Sequence, residues 1–151
     1  MPAPLIEVQF TPKDLPARFE RYPKQLDREA SKTMRESIEI LHNSVPQYVP
    51  ERPGQRYKRT GDLGASLGVG MSGRPIGTPD IFTARRIGDN SYVGVFGSLI
   101  RYGPLVIGEG TQAFMHVGRW WTIRTVRDRA SNKITKAWLA MSERLVSFLG
   151  K

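Results

Sequence analysis

Two segments of this chain repeat their apolar residues every three or four positions, while the stretches between them alternate with a period of two. That change of period restricts the fold more than any other feature, because each helical stripe has to be covered by something. The first stripe runs Leu26, Ala30, Met34, Ile38, Leu41 and Val45. It predicts a helix from about Pro12 or Pro23 to about Ser44, ended by Pro46. Its outer face carries Lys24, Asp27, Arg28, Glu29, Lys32, Arg35, Glu36 and Glu39, with i,i+4 pairs expected for Lys32–Glu36 and Arg35–Glu39. The second stripe runs Ile123, Val126, Ala130, Ile134, Ala137, Trp138, Met141, Leu145, Phe148 and Leu149, with Thr122 placed to cap its start. A helix of that length spans roughly 40 Å at 1.5 Å per residue, enough to cross a small sheet.

The sheet is expected from the alternating segments. Leu5-Ile6-Glu7-Val8-Gln9-Phe10 reads as a possible edge strand, and Thr11 before Pro12 closes it. Residues 67–71, 81–87 and 91–96 read as an antiparallel meander, with Gly88-Asp89-Asn90 turning the second strand into the third. In Tyr92-Val93-Gly94-Val95-Phe96 nearly every residue is a strong strand former, which suits the middle of the sheet. The fold class is therefore α+β: a small, mostly antiparallel sheet of three to four strands, with two long helices packed on one face and long loops. At 151 residues the whole chain, 1–151, is expected to form a single domain able to bury a core without staples.

Composition then removes several chemistries. With no cysteine, the chain has neither disulfides nor thiolate metal ligands or nucleophiles. No apolar run approaches the roughly 20 residues of a membrane-spanning helix, and MPAPLIEVQF lacks the pattern of a signal peptide, so a soluble protein made in a cytoplasm is expected. The net charge is +9, and the basic excess grows along the chain, reaching nine basic against three acidic residues in 101–151. Such an asymmetry points to an acidic partner, either nucleic acid or an acidic protein surface.

Catalytic patterns are few. Gly68-Val69-Gly70-Met71-Ser72-Gly73 matches the G-x-G-x-x-G spacing, but Arg74-Pro75-Ile76-Gly77-Thr78-Pro79 follows and cannot open the helix a dinucleotide site needs. A strand ending in a glycine-rich turn fits better. His42, at the end of the first helical stripe, reads as a polar surface residue; His116 lies in an unusual segment with no carboxylate or second histidine at ligand spacing. No carboxylate pair, nucleophile elbow or phosphate loop is present. The expectation is a non-enzymatic protein with no cofactor, no metal and no small-molecule substrate. An enzyme would need a concave pocket at His116 with a converging carboxylate.

Two loops hold the remaining signals. Residues 46–60 form an extended loop with Pro46, Pro50 and Pro53, in which Arg52, Arg56, Lys58 and Arg59 interleave with Tyr48 and Tyr57. That composition suits a nucleic-acid-tracking segment or an arm ordered by a neighbouring subunit, with the arm preferred. Thr60 is placed to cap a short helical turn beginning at Gly61-Asp62-Leu63. The loop at 97–121 carries Leu99, Ile100, Leu105, Val106, Ile107, Phe114 and Met115, more apolar residues than a solvated loop supports, and ends in Trp120-Trp121. It needs a partner surface, either the chain's own core or another chain.

Four pieces taken together resemble the neck and tail-completion proteins of long-tailed bacteriophages: Arg59-Thr60-Gly61-Asp62-Leu63 with Ser66, the strand end at residues 92–98, Tyr102-Gly103-Pro104, and Gln112-Ala113-Phe114-Met115 before a long C-terminal helix. Their order and spacing cover about residues 20–149. The long stretch after Phe96 and the segment His116-Val117-Gly118-Arg119-Trp120-Trp121 depart from that pattern. The resemblance implies a virion structural protein of the head–tail junction, made in the infected bacterium and assembling as a ring or collar. It would contact copies of itself and other neck, connector or tail proteins, with DNA passing nearby. The contact residues expected are Arg59, Thr60, Gly61, Leu63, Leu99, Ile100, Tyr102, Leu105, Phe114, Trp120 and Trp121. Arg52, Arg56, Lys58, Arg124 and Arg127 are the basic residues that would face DNA. The alternative is a small basic nucleic-acid-binding protein using Arg52, Arg56, Lys58, Arg59 and the basic face of the last helix, Arg124, Arg127, Arg129, Lys133 and Lys136.

Overall fold

The computed structural model describes residues 5–10, 23–51, 53–54, 59–70, 76–89 and 91–149. In chain order the elements are β1 (Leu5–Phe10), α1 (Pro23–Asn43), α2 (Asp62–Ser66), β2 (Ile81–Gly88), β3 (Ser91–Gly97), α3 (Gly103–Ile107) and α4 (Ile123–Leu149). They form the expected α+β arrangement, a three-stranded antiparallel sheet with the two long helices on one face. The proposed helix before Pro23 and the cap at Thr11 lie outside the described residues.

The strand order is β1-β3-β2. β3, the richest in strand formers, sits in the centre, so Phe96 lies between Ile6 and Phe82, and Gly94 between Val8 and Ala84. Residues 67–70 form no strand beyond a single bridge position at Val69, which corrects the expected meander, and Met71 lies outside the described residues. Gly68 instead turns the chain at φ +66°, and its carbonyl accepts from the N–H groups of Ile76 and Gly77. An ideal Cβ there would fall 2.6 Å from the Gly77 carbonyl oxygen. A glycine turn therefore takes the place of the strand. The third strand comes from β1, bringing Ile6 beside Phe96.

The alternation in β3 places Tyr92, Gly94 and Phe96 beneath the helices. A Cβ at Gly94 would lie 2.8 Å from both Ile38 Cγ1 and Met34 Sδ, so the glycine is what lets α1 lie directly on the sheet. The stripe of α1 is buried as its period requires, at Leu26, Ala30, Met34, Ile38 and Leu41, with Thr33 and Ser37 between them. In α4 the buried positions are Val126, Ala130, Trp138, Met141 and Leu145. The two helices are joined by a buried polar relay, in which Trp138 Nε1 donates to Ser37 Oγ at 3.1 Å and that hydroxyl donates to the Thr33 carbonyl at 2.7 Å.

Charged groups fix the helix pair across elements rather than along one face. Lys32–Glu36 and Arg35–Glu39 are not among the ion pairs of the described residues. Instead Glu29 takes Arg144 of α4 at 3.1 Å, and Asp27 takes Arg86 of β2 at 3.2 Å. Asp27 also accepts from Tyr92 Oη at 2.8 Å. Burial first, and then this bond to Asp27, push the Tyr92 phenol up to about 12. The expected i,i+4 pairs would each have stabilised the helix by only a few tenths of a kcal/mol, so their absence costs α1 little.

At the start of α4 the capping bond comes from Thr125 rather than from the expected Thr122 side chain. Thr122 precedes it, and the Thr122 N–H donates back to Thr125 Oγ1 at 3.3 Å, one half of a capping box. At α2 the cap differs from expectation. Gly61, at φ +82°, occupies the N-cap position, and Thr60 stands one residue outside, its hydroxyl joined to the Asp62 carboxylate. His42 is also corrected: it is half-buried between Phe82 and Phe96, and its Nε2 stands 3.0 Å from the Gly68 carbonyl oxygen. Among the described residues no helix is long and apolar enough to cross a membrane.

The larger core cluster joins Ile38, Leu41 and Phe96 to Leu63, Leu67 and Val69 around α2, to Ile107 of α3, and to Val126 and Ala130 of α4. It anchors both short helices at one end of the sheet. There a buried contact between the Ser66 and Ser98 hydroxyls ties α2 to the end of β3.

Candidate functional site

The two loops singled out in the sequence meet at this end of the fold. Between them lies a cleft of about 710 Å³, lined by Tyr48, Pro53, Gly54, Arg59, Thr60, Gly61, Leu63, Tyr102, Leu105, Val106, Ala113, Met115, His116, Arg119 and Trp120. Seven of the expected contact residues therefore share one surface: Arg59, Thr60, Gly61 and Leu63 from one side, and Tyr102, Leu105 and Trp120 from the other. A cavity of this size with mostly apolar walls and a few polar groups is the ordinary form of a binding site.

Each wall has a local cause. The 97–121 segment is not an open loop. Pro104 starts α3, Ile107 buries in the core, and the chain then folds back so that the Ala113 N–H donates to the Leu105 carbonyl. Gln112 closes the fold by donating from Nε2 to the carbonyls of Val106 at 2.7 Å and Trp120 at 3.1 Å. Trp120 and Trp121 are both half-buried against the main core, and Trp120 retains a face on the cleft.

Trp120 organises the floor. The Tyr48 ring meets it edge-on with centroids 5.3 Å apart, and the Arg59 guanidinium lies over it at 4.8 Å from the ring centroid. Arg59 also donates to the carbonyls of Val49 and Pro50, and Arg119 donates to Pro50 at 3.3 Å. These acceptors are neutral. Among the described residues no carboxylate forms an ion pair with Arg59, and none lines the cleft. The Pro50 corner thus holds two guanidinium groups at the mouth of an apolar cavity.

Burial of Tyr48 raises its phenol to about 12, with Tyr102 adding to the rise; the Gly64 N–H and Arg59 pull the other way. Its hydroxyl packs against Gly64, outside hydrogen-bonding geometry with the described groups. His116 stands edge-on to Trp120 at 6.2 Å, and its Nδ1 is buried with no hydrogen-bond partner among the described residues. Burial, then Arg119 and Arg59, push its pKa below the ordinary histidine value, which favours the neutral ring. The concave pocket at His116 exists, but the converging carboxylate that acid–base chemistry would need is not among its described lining residues. Nor do any three histidine, aspartate or glutamate side chains of the described residues group closely enough to hold a metal ion.

Other expected contact residues lie elsewhere. Leu99 and Phe114 stand on the surface at 65 % and 87 % exposure, Ile100 is half-buried, and Trp121 belongs to the core wall. Met115 and Val117 are exposed beside Phe114 in the chain, and of these three Met115 also lines the cleft. Of the basic set, Arg124 and Arg127 converge on Glu109 at 3.7 and 3.8 Å, and both lie close to Asp128. Arg52, Arg56 and Lys58 lie outside the described residues.

Tyr48, His116 and Arg119 complete the cleft, although the sequence reading did not group them with it. The usable signal was aromatic and basic residues clustering on both sides of the glycine-bearing turn at Gly61, but nothing in one-dimensional spacing pairs position 48 with position 120. Compared with protein-family models, curated proteins and solved structures, the chain matches no family, no curated protein and no solved structure.

Proposed function

We propose that this chain is a non-enzymatic assembly subunit of the neck or tail-completion type, a virion structural protein at the head–tail junction of a long-tailed bacteriophage. In the particle it forms a homo-oligomeric ring or collar and contacts connector or tail proteins. The observation that carries the reading is the gathering of Arg59–Trp120 and its neighbours into one apolar cleft whose lining includes the exposed Leu105 and Met115, with Phe114 and Val117 exposed in the same chain segment. Large exposed apolar side chains grouped around a concavity cost solubility unless a protein surface covers them. Aromatic and arginine residues are also the usual anchors of such contacts.

The nucleic-acid reading draws on the +9 charge, but two of its basic residues, Arg124 and Arg127, are engaged with acidic neighbours. Light scattering over a concentration series, at low and moderate salt and with a phage connector added, tests the proposal. Expected is a ring, or a monomer that assembles on the connector, in either case weakened by Phe114→Asp and little changed by salt. A monomer that ignores connectors and binds DNA with a steep salt dependence refutes it.

A further inference from the structure

We infer that the Trp120 cleft receives an acidic, apolar segment of a different protein: a short peptide stretch with a leucine- or phenylalanine-like anchor beside a carboxylate. The inference rests on the reading of the cleft as a protein-contact site and adds the chemistry of the partner.

The walls decide the anchor. Leu63, Tyr102, Leu105, Met115 and Trp120 present mostly carbon to the cavity, so an apolar side chain entering it is favoured by about 25 cal/mol for each Å² removed from water. The mouth decides the flank. Arg59 is held over Trp120 by two backbone carbonyls, which orient the guanidinium without neutralising it. A purely apolar guest would strip water from this cation and return nothing. A guest that brings a carboxylate replaces the lost water with a charge-assisted bond. His116, pushed toward its neutral form by burial and by the two arginines, reports the same positive potential from inside the cleft.

The chain's own apolar knob does not meet this requirement. Residues 110–121 around Phe114 contain no aspartate or glutamate, and Glu109 just before them is taken up by Arg124 and Arg127. A second copy docking through Phe114 would bring no carboxylate from this segment to Arg59, and both chains carry a net charge of +9. Like charges brought together in this way oppose a wrong partner. A nucleic acid supplies the anion but not the apolar anchor that the walls reward.

Intrinsic tryptophan fluorescence of the full chain, titrated with the capped tetrapeptide Asp-Leu-Phe-Glu and its neutral counterpart Asn-Leu-Phe-Gln, tests the inference. The acidic peptide is expected to bind at least about tenfold tighter, the ratio shrinking at high salt. Arg59→Gln keeps an N–H donor for the Val49 and Pro50 carbonyls but removes the charge, and is expected to erase the preference while leaving the circular dichroism spectrum unchanged. Leu105→Ala should weaken both peptides alike. Equal binding of the two peptides, or an acidic preference that survives Arg59→Gln, overturns the inference. So does displacement of the peptide by single-stranded DNA with retained affinity for the DNA in Leu105→Ala. If neither peptide binds while light scattering shows an oligomer broken by Phe114→Asp, the acidic-segment inference falls and the assembly reading stands. If neither peptide binds and the chain stays monomeric with connectors present, both fall.

Discussion

Replacing Gly64 with alanine sets two effects against each other at the back of the cleft. In an isolated helix the change would help, because alanine is favoured over glycine by about 1 kcal/mol. Here the added methyl would fall 2.6 Å from Tyr48 Oη, 2.8 Å from Tyr48 Cε2 and 2.8 Å from the Val69 carbonyl oxygen. The tyrosine can swing away only by giving up its edge contact with Trp120. Val69 cannot retreat easily either, because its N–H is bonded to the Gly64 carbonyl at 2.8 Å. Overpacking of this kind costs about 1–3 kcal/mol, so the clash should outweigh the propensity gain by up to about 2 kcal/mol. At roughly 2–4 °C per kcal/mol for a chain of this size, the melting temperature should fall by up to about 8 °C. Thermal unfolding followed by circular dichroism measures the fall, and tryptophan emission should shift to the red as Trp120 loses Tyr48. Gly77→Ala is the control, since nothing lies within 4 Å of its added methyl. Adding Tyr48→Phe to Gly64→Ala removes the shortest contact and should restore part of the loss. A Gly64→Ala protein as stable as the Gly77→Ala control, with unchanged emission, would show that Tyr48 does not pack on α2 and that the cleft floor is wrongly described.

Two further outcomes follow from the core. Ser37→Ala leaves the buried Trp138 indole N–H without its acceptor and should cost about 1–3 kcal/mol, whereas Ser37→Ala combined with Trp138→Phe should cost less than the two single changes added together; urea unfolding of the four proteins measures that difference. Tyr48 and Tyr92 are both raised from 10.0 to about 12, so the folded state retains two protons that the unfolded state releases. Their contribution is complete below pH 10 and is lost as pH rises through 12. Phenolate absorbance should therefore show two of the five tyrosines titrating late, with alkaline unfolding beginning in the same window. A titration in which all five ionise together near the ordinary value contradicts the burial of both rings.

The fold was legible wherever a local pattern and a tertiary demand coincided. The stripes of α1 and α4 had the helical period, and burial followed it from Leu26 to Leu41 and, in α4, at Val126, Ala130, Trp138, Met141 and Leu145, with Ile134 and Ala137 only partly buried. β3 was legible because Tyr92, Val93, Val95 and Phe96 favour a strand before any partner is considered. Residues 67–71 misled because Leu67, Val69 and Met71 alternate like a strand, while Gly68, at positive φ and closed in by the carbonyl of Gly77, had already committed the backbone to a turn. His42 misled for a different reason. A histidine at the end of an amphipathic stripe reads as solvent-facing, and only the sheet beneath it supplied Phe82, Phe96 and the Gly68 carbonyl.

The cleft was legible in its parts and not in its assembly. Apolar excess in 97–121 correctly signalled a need for cover, and much of that cover came from within: Ile107 and the ring of Trp121 went to the core, and Gln112 stitched the segment to itself. What remained uncovered was decided by the Pro50 corner. Its carbonyls draw Arg59 and Arg119 to one point, bringing Arg119 to Pro50 across 69 positions that no periodicity encodes. The two arginines there answer a backbone need, since the last residues before a proline-rich bend have carbonyls without sheet or helix partners. Neutral carbonyls hold Arg59 in place without cancelling its charge, which stands at the edge of an apolar surface. The same side chains that hold the loop in place therefore give the cleft its electrostatic preference, and changing Arg59 tests the recognition chemistry separately from the apolar walls that Leu105 helps to form.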